Sequence, residues 1–443
     1  MASARITVIG LWHLGCVVST ALAHLGHNVV GTDFDSEAVR KLQQGQPPIY
    51  EPGLTELMTQ QVRDGRLAFS VSCPESLAGA EYVFITFDTP VDDNDQSDLS
   101  PIERALDIIA RHARGQIAIV IMSQIPVGTC RRLAQRLHQQ APSLRFHLAY
   151  QPENLRLGEA LKAFLQADLI VVGAASEAAA NHVLELYQGI EAPRVMMSWD
   201  SGEMVKHALN TFLATSISFV NELSNLAELA GPDMRDVVRA LRLDRRIGKH
   251  AFLSPGPGFS GGTLARDVQT LRGLGRQFGC PTPQLDATLA VNTARLPGIV
   301  EKIHRLCGEG KGLRVGLLGL TYKPGTSTLR RSNSLALARL LLAGGSEIRA
   351  FDPQVREPQP ETEGIGICSD PYEAAREADA VVVMTPWAEL KDLDFARLSA
   401  CMRQPVLFDP HNCLDDCKAR AGGLQYCGTG IPAVPQGAYK EMP

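Results

Sequence analysis

Short apolar runs alternate with longer amphipathic segments along most of this chain, and this pattern predicts parallel β-strands connected by helices. Before residue 200, the predicted strands are residues 6–10, 26–33, 81–87, 117–122, 146–150 and 169–173. A second series follows residue 308, at residues 313–320, 347–353, 378–384 and 405–409. The predicted fold class is therefore α/β, with two doubly wound parallel sheets.

The middle of the chain has a helical pattern instead. Residues 200–230 contain no glycine or proline after Gly202, and their small and apolar side chains recur at helical spacing. Further helices are predicted over residues 234–241 and 268–307. We therefore expect a helical central domain with one long helix. The predicted domains are residues 1–198, 199–308 and 309–443.

The first strand, helix and second strand have the pattern of a Rossmann-like dinucleotide fold. Asp33 ends the second strand, where a carboxylate binds the ribose hydroxyls of NAD and repels the 2′-phosphate of NADP. Trp12 occupies the position of the second fingerprint glycine, so its ring points away, packs under the helix or obstructs the cofactor. The predicted cofactor residues here are Gly10, Trp12, His13, Leu14, Gly15 and Asp33.

Other candidate residues follow from position. Ligands of doubly wound sheets bind at the carboxyl ends of strands, which makes Thr89, Gln124 and Glu153 candidate pocket residues. On the long helix, Lys206 and Asn210 are four residues apart and share one face. That spacing is equally typical of a solvated helix face.

Composition narrows the function classes. A net charge of -5 gives no basic surface for nucleic acid. We expect a cytoplasmic protein with no membrane association, because no apolar run reaches transmembrane length and no signal peptide precedes the first strand. The ten cysteines are scattered, as is usual for reduced thiols. His411, Cys413 and Cys417 lie close in sequence, but no second cluster has zinc-site spacing, so no metal is predicted.

Residues 252–267 form a loop with four glycines and two prolines, which excludes a central strand and lets the backbone approach a ligand closely. Many such runs are plain connectors. With other segments, however, this loop resembles the UDP-glucose/GDP-mannose dehydrogenase family over nearly the whole chain. The other segments are Gln46–Gly53, Pro152–Arg156, Lys206 with Asn210, and Gly319–Thr326 with the following Arg330.

The resemblance, closest to the UDP-sugar branch, implies an NAD-dependent homodimer that oxidises the sugar C6 alcohol to a carboxylate in two hydride transfers. A cysteine traps the intermediate aldehyde, because a thiolate is a good nucleophile and a good leaving group. The implied catalytic positions are Glu153, Lys206, Asn210, Thr263 and Asp267. The implied cofactor positions include Thr89, Gln124 and Arg330, and the implied substrate positions are Arg156, Arg246, Phe252, Gly258 and Lys323.

The departures from the family pattern shape the prediction. Thr263 stands at the position of the catalytic cysteine, and Arg266 at that of a lysine. We therefore expect oxidation to stop after two electrons, or to act at another carbon. One alternative is full four-electron oxidation through the aldehyde hydrate. Another is a nucleotide-sugar-binding protein that no longer binds NAD, which Trp12 and Asp88 would explain.

Overall fold

A computed structural model describes residues 3–89, 97–153, 155, 157–308 and 312–432. The chain divides into two compact units, residues 1–209 and 210–443. The three domain boundaries expected from the sequence stay a prediction. Among the described residues, no helix has both the length and the apolar composition needed to span a membrane.

The first unit is built on an eight-stranded sheet with the strand order β3-β2-β1-β4-β5-β6-β7-β8. Its strands are β1 (Arg5–Ile9), β2 (Asn28–Thr32), β3 (Leu67–Ser70), β4 (Tyr82–Ile85), β5 (Gln116–Ile121), β6 (Arg145–Tyr150), β7 (Ile170–Ala174) and β8 (Arg194–Met197). All neighbours pair in parallel except β6 and β7, which are antiparallel. The strand order reverses between β1 and β4, the point at which doubly wound folds bind their ligands.

Helices cover both faces of this sheet, and this explains the continuous apolar runs of its strands. In β5, Ile119 and Ile121 belong to one buried cluster, whereas Ala118 and Val120 belong to the other. The helices are α1 (His13–His24), α2 (Ser36–Gln43), α3 (Leu54–Arg63), α4 (Cys73–Ser76), α5 (Ser100–His112), α6 (Thr129–Gln140), α7 (Ala160–Leu165) and α8 (Glu177–Leu184), with a 3₁₀ helix at Glu185–Tyr187.

The long helix α9 (Trp199–Ala230) begins in the first unit and continues into the second. The other helices of the second unit are α10 (Met234–Leu243), α11 (Leu264–Gln277), α12 (Pro283–Cys307), α13 (Asn333–Ala343), α14 (Pro371–Ala375), α15 (Phe395–Cys401) and α16 (Asp416–Ala421), with 3₁₀ helices at Pro360–Thr362 and Ala388–Asp392.

A six-stranded parallel sheet completes the second unit, in the order β11-β10-β9-β12-β13-β14. Its strands are β9 (Arg314–Leu318), β10 (Glu347–Phe351), β11 (Ile365–Ile367), β12 (Ala380–Val383), β13 (Val406–Asp409) and β14 (Gln425–Gly428). The predicted fold class, with two Rossmann-like sheets and a helical centre, is confirmed.

The antiparallel pairing of β6 and β7 differs from the parallel sheet that the sequence predicts. Two features of the helices differ as well. The continuous helix expected over residues 268–307 is two helices, because Gly279 follows the end of α11 and Pro283 begins α12. The last four residues of the glycine-rich loop belong to α11, so Asp267 lies in its first turn.

Candidate functional site

The turn between β1 and α1 has the close packing of a dinucleotide fingerprint. Gly10 has a φ of +103°, in the left-handed region that favours glycine, and its N–H donates to the Thr32 carbonyl at 2.9 Å. A Cβ on Gly15 would overlap the Gly10 carbonyl oxygen and lie 2.9 Å from Thr86 Oγ1. The N-terminus of α1 can therefore face a pyrophosphate at short range.

Trp12 is compatible with this turn. Its φ of -76° needs no glycine, and 49% of the residue is exposed, so it does not pack under α1. Leu14, in contrast, is buried in the core beneath the helix. The backbone at position 12 thus keeps an ordinary conformation while the indole lies at the surface.

His13 begins α1 and connects the turn to a buried carboxylate. Its Nε2 lies 2.8 Å from Oε2 of Glu51, a residue that is 2% exposed. Glu51 also accepts hydrogen bonds from the N–H groups of Gly158 at 2.8 Å and Ala160 at 2.7 Å. One carboxylate therefore joins the cofactor turn to the start of α7. Glu51 lies within the family-like segment Gln46–Gly53, but the segment alone does not indicate this role.

Asp33 is held in a fixed orientation at the end of β2. Its Oδ2 accepts from the Leu11 N–H at 2.5 Å and its Oδ1 from the Asp35 N–H at 2.9 Å. Beside it, the rings of Phe34 and Phe87 stack at 4.9 Å. The glycine turn, the N-terminus of α1 and the Asp33 carboxylate together fit an NAD molecule. Gly10, Gly15 and Asp33 would hold it.

The loops after β4 and β5 meet. Thr89 is buried and donates its Oγ1 proton to the Gln124 carbonyl oxygen at 2.7 Å. The two predicted cofactor residues are therefore adjacent, at the carboxyl ends of neighbouring strands.

Glu153 and Lys206 also lie together in the first unit. The Lys206 ammonium donates to the Glu153 carbonyl oxygen and lies 3.6 Å from its carboxylate Oε2. The Glu153 carboxylate accepts from the Leu155 N–H at 2.5 Å. Only 6% of the Lys206 side chain is exposed, so its charge is little screened by solvent.

In the second unit, two asparagine amides, one buried and one half-buried, hold the glycine-rich loop in place. Asn221 accepts from the Gly256 N–H at 2.8 Å. Asn292 accepts from the Phe259 N–H at 2.8 Å and donates to the Phe259 carbonyl at 3.1 Å. Gly258 has a φ of +94°, and a Cβ there would lie 2.5 Å from Asn292 Oδ1. No local sequence pattern identifies these anchoring asparagines.

The loop ends beneath an aromatic ring. Gly261 has a φ of +78°, and a Cβ there would lie 2.8–3.0 Å from ring atoms and the hydroxyl of Tyr322. Its N–H donates to the Arg331 carbonyl at 3.2 Å. Thr263 follows at the N-cap position of α11, exposed and without a side-chain capping hydrogen bond. A helix N-terminus stabilises negative charge at this position.

Asp267 is fully buried in the first turn of α11, and Asn210 donates its amide proton to Asp267 Oδ2. The structure thus brings together two of the predicted catalytic residues of the second unit. Because Asn210 lies one helical turn after Lys206 on α9, one helix face carries both polar groups.

The remaining predicted ligand residues are less well defined by geometry. The Arg246 guanidinium pairs with Asp244 at 2.6 Å and its side chain is 84% exposed. Phe252 is 38% exposed, and Arg330 lies at the surface after Lys323 in the second unit. Arg156 lies outside the described residues.

A buried carboxylate and a surface cluster of potential metal ligands lie elsewhere in the second unit. Asp352, at the end of β10, is fully buried and accepts from the N–H groups of Leu320 and Thr321 and from the Trp387 indole at 2.7, 3.0 and 3.1 Å. Within the described residues, the potential metal-ligand atoms that lie close together belong to Asp415, Asp416 and Cys417, at the surface.

Comparison with known families assigns the chain. The NAD binding domain of the UDP-glucose/GDP-mannose dehydrogenase family matches residues 4–191, its central domain residues 200–294, and its UDP binding domain residues 316–416. The chain belongs to this family. The predicted family and its use of NAD are thereby confirmed, whereas the roles of individual site residues stay predictions.

Individual relatives agree along the whole chain. UDP-glucose 6-dehydrogenase TuaD of Bacillus subtilis is 34% identical over 435 residues, covering 97% of this chain and 94% of that protein. The UDP-glucose 6-dehydrogenase of Rhizobium meliloti is 35% identical over 436 residues, covering 97% and 100%. The UDP-glucose dehydrogenase structure from Pyrobaculum islandicum superposes with a TM-score of 0.88 at 33% identity, covering 97% of this chain and 98% of that one.

Proposed function

We propose that this protein oxidises a UDP-sugar with NAD and releases a carbonyl product after two electrons, instead of continuing to the carboxylate. The observation that carries the proposal is Thr263. The hydroxyl of this residue lies at the N-terminus of α11, where the family resemblance implies a nucleophilic cysteine. A threonine hydroxyl ionises far less readily than a thiol, so the aldehyde is not trapped covalently.

No nearby cysteine replaces the missing thiol along the helix. The next cysteine in the chain is Cys280, beyond the far end of α11. A helix of 14 residues is about 21 Å long at 1.5 Å per residue. The thiol of Cys280 is therefore too far along this helix to act at the position of Thr263.

The retained polar groups suit the first oxidation. Asp267, oriented by the Asn210 amide, takes the hydroxyl proton of the sugar, directly or through water. Lys206 supplies positive charge that stabilises the alkoxide as it forms. When NAD is bound, its nicotinamide accepts the hydride. The alcohol thus loses one hydride and one proton and becomes a carbonyl.

A four-electron reaction through the aldehyde hydrate is the main alternative, because Glu153, or Asp267 once it has released its first proton to water, can act as the base toward a gem-diol. A protein that no longer binds NAD is a further alternative. Calorimetric titration tests the latter: we expect saturable NAD binding, and binding of UDP-glucose without any NAD binding at millimolar concentration would favour that alternative.

Substitution of Thr263 tests the proposal at its origin. We expect Thr263→Cys to gain conversion of the sugar to its uronic acid, because a thiol at a helix N-terminus has a lowered pKa. Thr263→Ser is the matched control and should still release the carbonyl compound. Equal acid formation by the wild type and Thr263→Cys would show that the hydroxyl does not limit the reaction.

We also propose that the active form is a homodimer. Phe212, Phe219 and Leu226 recur every seven residues along α9 and are 71%, 49% and 59% exposed. Such an exposed apolar stripe on a long helix is typical of a surface that packs against a second helix. The same stripe on a second copy is a self-complementary partner.

A further inference from the structure

A buried arginine that is not among the family's implied site residues contacts the glycine-rich loop. Arg295 belongs to α12 and is 4% exposed. Arginine is rarely buried to this extent, because its charge loses the solvation of water. The position of Arg295 beneath the loop therefore needs a physical explanation.

The charge of Arg295 has no direct counter-ion. No carboxylate that the structure describes forms an ion pair with its guanidinium; Glu228 acts on it through space, and Glu228 is itself paired with Lys302 at 2.5 Å. Burial lowers the pKa of the Arg295 guanidinium, as expected for a charge that leaves water without a partner. Arg295 thus contributes no buried salt bridge to this unit.

Two buried nitrogen atoms at this place also lack a hydrogen-bond acceptor in the part of the chain that the structure describes. They are Nη2 of Arg295 and Nδ2 of Asn221, a residue that is fully buried. Leaving a buried donor unpaired is costly, and such donors are rare in folded proteins. Both side chains bond the same residue of the loop, Gly256. The unpaired donors thus belong to the groups that hold one short backbone segment.

Arg295 and Asn221 together hold both polar groups of Gly256. Asn221 Oδ1 accepts from the Gly256 N–H at 2.8 Å, and Arg295 Nε donates to the Gly256 carbonyl oxygen at 3.1 Å. Pro255 and Pro257 flank this glycine and have no N–H, so Gly256 carries the one backbone donor of the Pro-Gly-Pro segment. Because each proline has a restricted φ, fixing Gly256 fixes the whole segment.

The same guanidinium joins the loop to α9. Arg295 Nη1 donates to Asn225 Oδ1 of that helix at 2.6 Å. On α12, Asn292 lies three residues before Arg295 and bonds both backbone groups of Phe259. A Cβ on Gly258, between these anchors, would lie 3.4 Å from Arg295 Cγ. Side chains of α9 and α12 therefore hold residues 256–259.

From these contacts we infer that Arg295 is a positioning residue for the UDP-sugar: it fixes the Gly256 carbonyl from inside the protein and so sets the affinity of the loop for its ligand. The inference rests on the proposed UDP-sugar substrate and on the implied role of Gly258 in binding it. A glycine-rich loop has many accessible conformations when free. Ordering it before the ligand arrives removes that entropic cost from the binding step.

Calorimetric titration of the full-length protein with UDP-glucose, in the absence of NAD, tests this inference, because it measures binding without turnover. The number of electrons removed from the sugar does not enter the measurement, so failure of the two-electron proposal would leave its result unchanged. Arg295→Gln should raise the Kd about tenfold or more, because the charge-assisted hydrogen bond to Gly256 is lost. Arg295→Lys keeps the charge and a donor, and should restore part of the affinity.

Steady-state kinetics separate a positioning role from a general loss of structure. In Arg295→Gln, the KM for UDP-glucose should rise as the Kd does while kcat stays within about threefold of the wild type, because the change acts on substrate binding. The affinity for NADH should not change, since the glycine turn near Gly10 belongs to the first unit.

Two further variants make the test specific. Arg305→Gln removes the same charge from an exposed position of α12, and should bind UDP-glucose as the wild type does. Asn225 is exposed, so Asn225→Ala should fold even if Arg295→Gln does not, and the lost bond to Nη1 should weaken binding about threefold. Wild-type affinity in Arg295→Gln, or in Asn225→Ala where Arg295→Gln does not fold, would overturn the inference, as would an equal loss in Arg305→Gln.

Discussion

Glu51 offers a sharp test of how the cofactor turn is held, because one buried carboxylate accepts three hydrogen bonds. Its Oε2 accepts from His13 Nε2 and the Gly158 N–H, both at 2.8 Å, and its Oε1 accepts from the Ala160 N–H at 2.7 Å. Glu51→Gln preserves the shape but retains one acceptor oxygen. In the most favourable orientation of the substituted side chain, its amide nitrogen replaces Oε1 and faces the Ala160 N–H. Both groups are donors, so no hydrogen bond forms between them.

The expected cost follows from this count. The substitution removes one charge-assisted hydrogen bond, leaves the Ala160 N–H unpaired and makes the other two hydrogen bonds neutral. Together these changes should lower the free energy of unfolding by about 2–4 kcal/mol. For a unit of this size, the melting temperature should fall on the order of 10 °C. Differential scanning calorimetry measures the shift. NAD affinity should weaken as well, because His13 begins the helix that we expect to face the pyrophosphate.

Glu191→Gln is the matched control, since Glu191 is an exposed glutamate of the same unit. Its melting temperature should stay within about 1 °C of the wild type, as is usual for surface substitutions. If Glu51→Gln also melts like the wild type and binds NAD equally well, the carboxylate does not organise the turn.

The second unit gives three further predictions. Asn210→Ala should lower kcat about 10- to 100-fold with little change in KM, because Asp267 loses its orienting hydrogen bond; steady-state kinetics with unchanged kcat would contradict this. Gly261→Ala should abolish most activity, since its left-handed backbone costs about 1–2 kcal/mol and its Cβ meets Tyr322, and Tyr322→Ala in the same chain should restore part of it. Phe219→Ser should shift the mass in sedimentation equilibrium from dimer to monomer, and an unchanged mass would refute the proposed interface.

The central strands were predictable because both faces of each sheet are covered, which makes strands such as β5 apolar throughout. The four strands that the sequence did not reveal, β3, β8, β11 and β14, are the edges of the two sheets. Edge strands are short and partly exposed, and β8 has no fully buried residue. Their pairing depends on the neighbouring strand more than on a local apolar pattern.

The candidate site divides in a similar way. Turns that need a positive φ, such as those at Gly10 and Gly258, can be predicted from the sequence because few residues other than glycine take that conformation. The side chains that hold the loops in place cannot be predicted in this way. Glu51 meets Ala160 across 109 residues of chain, and Asn221 meets Gly256 across 35. Their roles come from tertiary contacts that no local pattern encodes.

The central claim is that oxidation stops after two electrons at Thr263. The most direct measurement counts NADH formed per UDP-glucose consumed, with a hydrazine present in a parallel reaction to capture carbonyl product. The account predicts one NADH per sugar and a hydrazone that accounts for the sugar consumed. Two NADH per sugar with no hydrazone would contradict it and would assign the chain the full four-electron reaction.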